Sequence, residues 1–357
     1  MKPRIWSEID PAAIRHNAQF AATHSGAKLI AVVKAGAYGH GFETVVEATR
    51  DIADLFAVAN AAEAAAVAKI APDHDVLLLS PCLPEEREFA RECGFIATVS
   101  SAKEAAAFPR GSRVAFKVDT GMGRIGTWHE EALAEVKAIA ANPDIELHSI
   151  ATHLPSADED PEFTQQQLEA FRRFATEAKA IAPGAGFHAL NSAGVCAFPE
   201  FAFDWVRAGL LLYGSAPVAD FQPRLRPALA WKTRVLLVRD VPANRSVSYG
   251  RTFITPRAMR IATLAVGYAD GYPRQASNRG ACVLLGGKRC ALLGRVTMDQ
   301  ILVDVSDVER VEVGDDAVLI GTQGSETILA ADLAQWAGTI AWHIFTGIGG
   351  RTERIVL

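Results

Sequence analysis

Leu29-Ile-Ala-Val-Val-Lys34 is a short, wholly apolar run that ends on a charged residue. So brief a run, rich in β-branched residues, is what a strand buried on both faces looks like. The same texture returns at 55–58, 76–79, 95–99, 114–118, 147–151, 187–190 and 205–207. Helix-like, alanine-rich stretches lie between these runs, at 61–69, 102–108, 130–141 and 163–181. Short buried strands alternating with helices imply a parallel sheet, and eight such units imply a closed (β/α)8 TIM-like barrel. An open doubly wound sheet is the alternative. After about residue 230 the texture changes. Segments 231–241, 261–266, 281–285, 301–305 and 317–320 are β-rich and punctuated by Gly, Asn and Pro, with one helix-like stretch at 330–337. The expected division is a barrel over 1–230 and a mainly β, antiparallel domain over 231–357.

The chain has 357 residues, half of them apolar, which is ample for a sizeable core. Its net charge of −5 comes from mixed acids and bases, so no polybasic nucleic-acid footprint is expected. The uncharged segment 180–199 contains His188, Asn191 and Ser192 with Pro and Gly, a poor match to a bilayer core. No apolar secretory stretch opens the sequence. The five cysteines are scattered, with no CxxC pair, as in a reduced cytoplasmic protein that holds no cysteine-bound metal.

Barrel chemistry sits at the C-terminal ends of the strands. Lys34 ends the first run, Lys117 and Asp119 the fifth, His153 the sixth, Asn191 and Ser192 the seventh, and Arg207 the eighth, with Gly209 just beyond. Singly, each has an ordinary reading: a lysine ending a strand snorkels to water. Their shared rim is what points to function. The loops after strands seven and eight commonly bind phosphate, and Ser192 with the amides near Gly209 and Leu210 suits an anion. One motif points elsewhere. Gly121-Met-Gly-Arg-Ile-Gly126 matches the GxGxxG dinucleotide loop, with Asp144 or Glu146 as ribose partner. It sits in the fifth unit, however, and its Arg124 suits a carboxylate or phosphate ligand.

At Ala31-Val-Val-Lys-Ala-Gly-Ala-Tyr-Gly-His-Gly41 the chain resembles the pyridoxal phosphate (PLP) signature of alanine racemases. Further landmarks follow in order: Lys117-Val-Asp-Thr-Gly-Met-Gly-Arg-Ile-Gly126, Thr152-His153, Asn191-Ser-Ala193, Arg207-Ala-Gly209, Ser248-Tyr-Gly250, Gly267-Tyr-Ala-Asp-Gly-Tyr272 and Gly294-Arg-Val-Thr-Met-Asp299. The resemblance covers essentially the whole chain. It implies a PLP-binding barrel, a C-terminal β domain and a homodimer that racemises alanine.

By the same resemblance, Lys34 binds the cofactor covalently, and Tyr38, Ser192, Gly209 and Leu210 hold its phosphate. His153 lies against the ring, Asn191 belongs to the cofactor site, and Arg207, supported by His188, partners the pyridine nitrogen. Arg124, Met298 and Tyr268 meet substrate. Tyr249 is the second base, delivered from the neighbouring subunit. Asp158, Arg274, Arg295 and Asp299 form or support a polar entrance. Lys117 corresponds to a lysine that is often carboxylated. Two departures stand out: Gly36 occupies a place where the family often has Asn, and Gly350 one where some members carry Tyr.

Racemisation lifts a proton from one face of a carbon and returns one to the other. The carbanion needs an electron sink that no side chain supplies and PLP does. A lysine amine suits the first face, and the second face needs another base, hence Tyr249. The rival readings are a racemase for serine or basic amino acids, a barrel-type PLP decarboxylase, a non-enzymatic PLP-binding protein and, from the glycine loop, an NAD oxidoreductase.

Overall fold

The computed structural model describes residues 3–357. The chain forms two compact units. One comprises Ala12–Ala37 and Phe42–Arg226. The other comprises Tyr38–Gly41 and Pro227–Leu357, together with the N-terminal stretch ending at Pro11.

The first unit is a closed barrel of eight parallel strands. In chain order these are Lys28–Val32, Ala53–Val58, Asp75–Pro81, Ile96–Val99, Ser112–Asp119, Ile145–Ala151, Gly186–His188 and Trp205–Ala208. Closure comes from the pairing of the first strand with the eighth, Lys28 opposite Trp205 through Ala31 opposite Ala208. The eight runs read from the sequence are these eight strands, and the doubly wound alternative falls.

Helices cover the barrel and begin where side chains cap them. Asn60 accepts the Glu63 amide at 3.0 Å, and Asp160 accepts that of Phe163 ahead of the long Pro161–Ile181 helix. Leu168, Phe171, Phe174, Ala175 and Ala178 form that helix's buried stripe. Each fully buried Leu or Phe contributes about 1.5–3 kcal/mol. The helix expected over 102–108 stops at Ala105. Pro109 beyond it disfavours helical geometry at Phe108.

The second unit is built on a nine-stranded sheet, antiparallel except where Ile5–Ile9 runs parallel to Glu353–Val356. Its spine is Leu229–Val241, thirteen residues long. The first half of the spine pairs with Ile5–Ile9 and Asp316–Gln323. After a register shift between Val235 and Leu237 it pairs with Met259–Leu264. The N-terminal strand lies in this sheet rather than in the barrel, and the short stretch Tyr38–Gly41 groups with this unit as well. The strand is held there by its ladder to Leu229–Thr233, with Glu8 2.7 Å from Lys232 and the Trp6 ring 5.0 Å beneath the Arg234 guanidinium. Besides the expected Ala330–Ala337 helix, a second short one, Ala341–Gly347, is present. Among the described residues no helix is long and apolar enough to cross a membrane.

Candidate active site

Lys34 follows the first barrel strand and opens a turn of unusual hand. Ala35, Gly36, Ala37 and Tyr38 all have φ between +53° and +61°. A left-handed turn costs roughly 1–2 kcal/mol for each L-residue in it, and only Gly adopts it freely. Gly36 has nothing within 4 Å of a built Cβ, so conformation rather than space calls for glycine there. Asn, the residue named by the resemblance, also tolerates this region. The turn is closed by the Ala37 amide donating to Val33 O at 2.7 Å. Burial, and then the positive charge of Arg124, push the Lys34 amine below the usual lysine range, with Glu63 opposing. That makes a neutral, nucleophilic amine easier to reach.

Arg207, on the neighbouring eighth strand, is buried with no carboxylate in ion-pair range among the described residues. Its Nη1 donates to His188 Nδ1 at 2.6 Å and to His188 O at 3.0 Å. Its Nη2 donates to Thr152 O and Ala189 O at 2.8 Å and to His153 Nδ1 at 3.2 Å. The Nε–H makes no hydrogen bond among the described residues. Burial brings this arginine down to about 10, still charged at neutral pH. An arginine only donates, so both His Nδ1 atoms accept and both rings carry their proton on Nε2. Burial, then Arg207, hold His153 and His188 well below the ordinary histidine value, which keeps them neutral.

Lys117 is buried, and its Nζ donates to Thr152 O at 3.3 Å. Burial first, then Arg207 and Arg124, drive its pKa far down, with Asp119 opposing. Arg124 itself is exposed. Its loop is held by Asp119, whose Oδ1 accepts the Gly121 and Met122 amides and whose Oδ2 accepts that of Gly123, each at 2.8 Å. The amides that a dinucleotide phosphate would require are spent on this carboxylate, so the GxGxxG reading fails.

Near the eighth strand, Ser192 Oγ accepts the Gly209 amide at 3.0 Å and that of Leu211 at 3.3 Å. The Leu210 amide begins a 3-10 turn and so has no partner inside it. Asn191 braces this corner, accepting from Gly194 and donating to Leu154 O. Asp158 is exposed on the loop after the sixth strand. Tyr38 belongs to the second unit, and burial pushes its phenol up to about 12.

The remaining expected residues share that second unit. Tyr249 is 71% exposed on a 3-10 turn tied down by Ser248 Oγ, which donates to Arg295 O at 2.5 Å. Tyr268 and Met298 lie on strips zipped together by Tyr268 N to Thr297 O and Ala269 N to Met298 O, both 3.0 Å. Gly267 permits that approach, since a Cβ there would stand 2.2 Å from Met298 O. Arg351 clamps the two strips, 3.0 Å from the buried Asp270 and 2.9 Å from Asp299. Arg274 is exposed nearby in sequence, and Gly350 leaves open space. Sequence reasoning did not single out Glu63, Asp270 or Arg351, nor Asp119's grip on the loop. All four act on backbone or on distant side chains.

Residues 9–217 match the family described as alanine racemase, N-terminal domain, and residues 228–356 match alanine racemase, C-terminal domain. This chain belongs to the alanine racemase family. The alanine racemase of Carboxydothermus hydrogenoformans is 41% identical over 99% of this chain and 100% of that protein. That of Symbiobacterium thermophilum is also 41% identical, over 99% and 97%. Among solved structures, the biosynthetic alanine racemase of Pseudomonas aeruginosa superposes with a TM-score of 0.91 at 34% identity, covering all of both chains. The alanine racemase of Bartonella henselae, solved with covalently bound pyridoxal phosphate, gives 0.89 at 29%, also covering all of both. The family therefore fits both the barrel and the β unit.

Proposed function

We propose that this chain interconverts L- and D-alanine with PLP carried on Lys34, as a cytoplasmic homodimer whose sites draw residues from both subunits. The observation that carries the reading is that Lys34, just past the end of the first barrel strand, and Arg207, near the end of the eighth, belong to two strands that pair with each other. One is an amine whose proton affinity burial and Arg124 lower, and the other a buried guanidinium with no acid and an unused Nε–H.

The residues fit the cofactor. Lys34 would hold its carbonyl carbon, and Arg207 the pyridine nitrogen. Ser192, the Gly209–Leu210 backbone and Tyr38 would hold the phosphate, and His153, with Asn191 bracing the corner, the ring face. When bound, PLP supplies the electron sink for a carbanion at the substrate's α-carbon. Everything else is the work of side chains. Arg207 stays protonated and offers the ring nitrogen no proton, which limits delocalisation and disfavours transamination. His188 orients Arg207 through Nδ1. Arg124 takes the substrate carboxylate, and Met298 and Tyr268 bound the methyl group. The Lys34 Nζ, in its unprotonated form, takes the α-proton on one face. The phenol of Tyr249 of the partner subunit gives one back on the other, with the roles reversed for the opposite enantiomer. Asp158, Arg274, Arg295 and Asp299 form or support the polar approach.

The neutral Lys117 amine is the form that adds carbon dioxide, releasing a proton to give a carbamate anion. That anion answers the two arginines whose charges bear on Lys117. The exposed side chains Tyr249, Tyr268 and Met298 suit a face presented to a second copy, and five free cysteines suit a reducing compartment. The deciding experiment incubates purified protein with PLP and L-alanine and measures D-alanine by chiral chromatography. Tyr249→Phe should abolish turnover while the protein still binds PLP. Full activity in that variant defeats the two-base reading. A panel including serine and basic amino acids measures how strictly alanine is chosen.

A further inference from the structure

We propose that Glu63 is a positioning residue for Lys34, its carboxylate fastening the left-handed turn that presents the lysine. The geometry is specific. Glu63 Oε1 accepts the Ala35 amide at 2.8 Å, and Oε2 accepts the Ala59 amide at 2.8 Å. Those amides stand just beyond the ends of the first and second barrel strands, where the parallel ladder stops after Val33 N donates to Ala57 O. One carboxylate thus bridges two diverging strand ends, and one of the bridged amides belongs to the residue that follows Lys34.

Glu63 is the third residue of the Ala61–Ile70 helix, capped by Asn60. A Glu in this place ordinarily reaches back to the cap residue's own amide. Here it reaches past the cap to Ala59 and across 28 positions to Ala35. A negative charge is well placed at the first turn of a helix. The turn it holds is strained at Ala35, Ala37 and Tyr38, and the Ala37-to-Val33 bond is another tether. The charge has a second effect. Lys34 faces the cation of Arg124 and the neutral His153, and Glu63 is the anion that opposes its loss of protons. Glu63 therefore sets both where the amine stands and how readily it keeps the proton it has removed. The catalytic part of this inference rests on the racemase reading above.

The test uses the full chain freed of cofactor and, separately, the PLP-loaded enzyme. Trace acetylation of Lys34, followed by peptide mass spectrometry over a pH series, reports the proton affinity of its amine. Glu63→Gln keeps the size, loses the charge and sets an amide NH2 against one of the two donors. Glu63→Asp is too short to bridge both amides. The expected result is an acetylation midpoint at least half a pH unit lower in Glu63→Gln, about a threefold change in protonation ratio at fixed pH. In the loaded enzyme, kcat should fall more than KM changes, with the pH profile displaced the same way and partial rescue by Glu63→Asp. Glu162→Gln, exposed and remote in sequence, should match the wild type. A midpoint in Glu63→Gln equal to wild type overturns the proposal, as does activity lost only in proportion to folded protein. If the wild type does not racemise alanine while the Lys34 midpoint moves, the function falls and the positioning role stands.

Discussion

Removing the Asp119 carboxylate should cripple substrate capture through Arg124. Asp119→Ala deletes an acceptor that holds three consecutive amides at 2.8 Å. Hydrogen bonds to a charged group contribute about 1.5–3 kcal/mol each, but water can reach this loop, so about 1 kcal/mol per bond is the fair figure. The ordered loop then loses up to about 3 kcal/mol, or about 2 kcal/mol where water replaces one of the bonds. Carried into catalysis, that predicts a fall in kcat/KM of about 30–150-fold, mostly as a raised KM, because Arg124 binds substrate before the chemistry begins. Asp119→Asn keeps one acceptor oxygen for two amides and should lose about fivefold, one bond's worth. Coupled assays in both directions give kcat and KM, and a double-mutant cycle with Arg124→Ala isolates the mechanism. With Arg124 already gone, losing Asp119 should matter little. The reasoning is refuted if Asp119→Ala keeps kcat/KM within twofold of wild type, or if its effect is undiminished in the Arg124→Ala background.

Acid should destabilise the fold earlier than carboxylate titration alone would. His153 and His188 are held neutral when folded, while in the unfolded chain each takes up a proton near pH 6.5. The unfolded state thus binds more protons below about that pH, and stability falls as pH drops through it. A thermal midpoint that stays flat from pH 7.5 to 5 contradicts this. Gly36→Asn should cost little, whereas Gly36→Val should cost about 1–3 kcal/mol in urea unfolding, since a β-branched residue resists positive φ. Equal stabilities would remove strain as the reason for glycine. Arg207→Glu should raise 2-oxo acid release relative to racemisation, and an unchanged ratio removes the role assigned to that arginine.

The barrel was legible because its strands are apolar runs with polar ends, so Lys34, Lys117, His153 and Arg207 stood out where the runs stop. The Ile5–Ile9 strand is buried at every position but Glu8, and so short a run carrying Ser and Glu shows neither the alternation nor the apolar continuity that marks a strand. Its partners lie at 229–241 and 353–356, beyond any local signal. Nothing in Ala35-Gly-Ala-Tyr38 announces a left-handed turn, because alanine avoids that region and tertiary contacts impose it. Glu63 reads locally as a capping residue, and only the fold reveals that Ala35 is its partner. The glycine-rich loop was ambiguous until Asp119 was seen to occupy its amides. Tyr249 could not be distinguished from an ordinary turn aromatic except through the resemblance.

The placement of Ile5–Ile9 has a consequence for biosynthesis. On the ribosome this segment emerges well before its two neighbours, at 229–241 and 353–356. The strand must wait, unpaired, until the barrel has been made, while the barrel has its local βα units to assemble from. Cutting the gene at the apparent boundary near 227 would release a C-terminal piece with an empty slot between Leu229–Val241 and Glu353–Val356, leaving both of those edges open, a form prone to stick to its own kind. A short peptide carrying the missing strand is what that piece would need to become soluble.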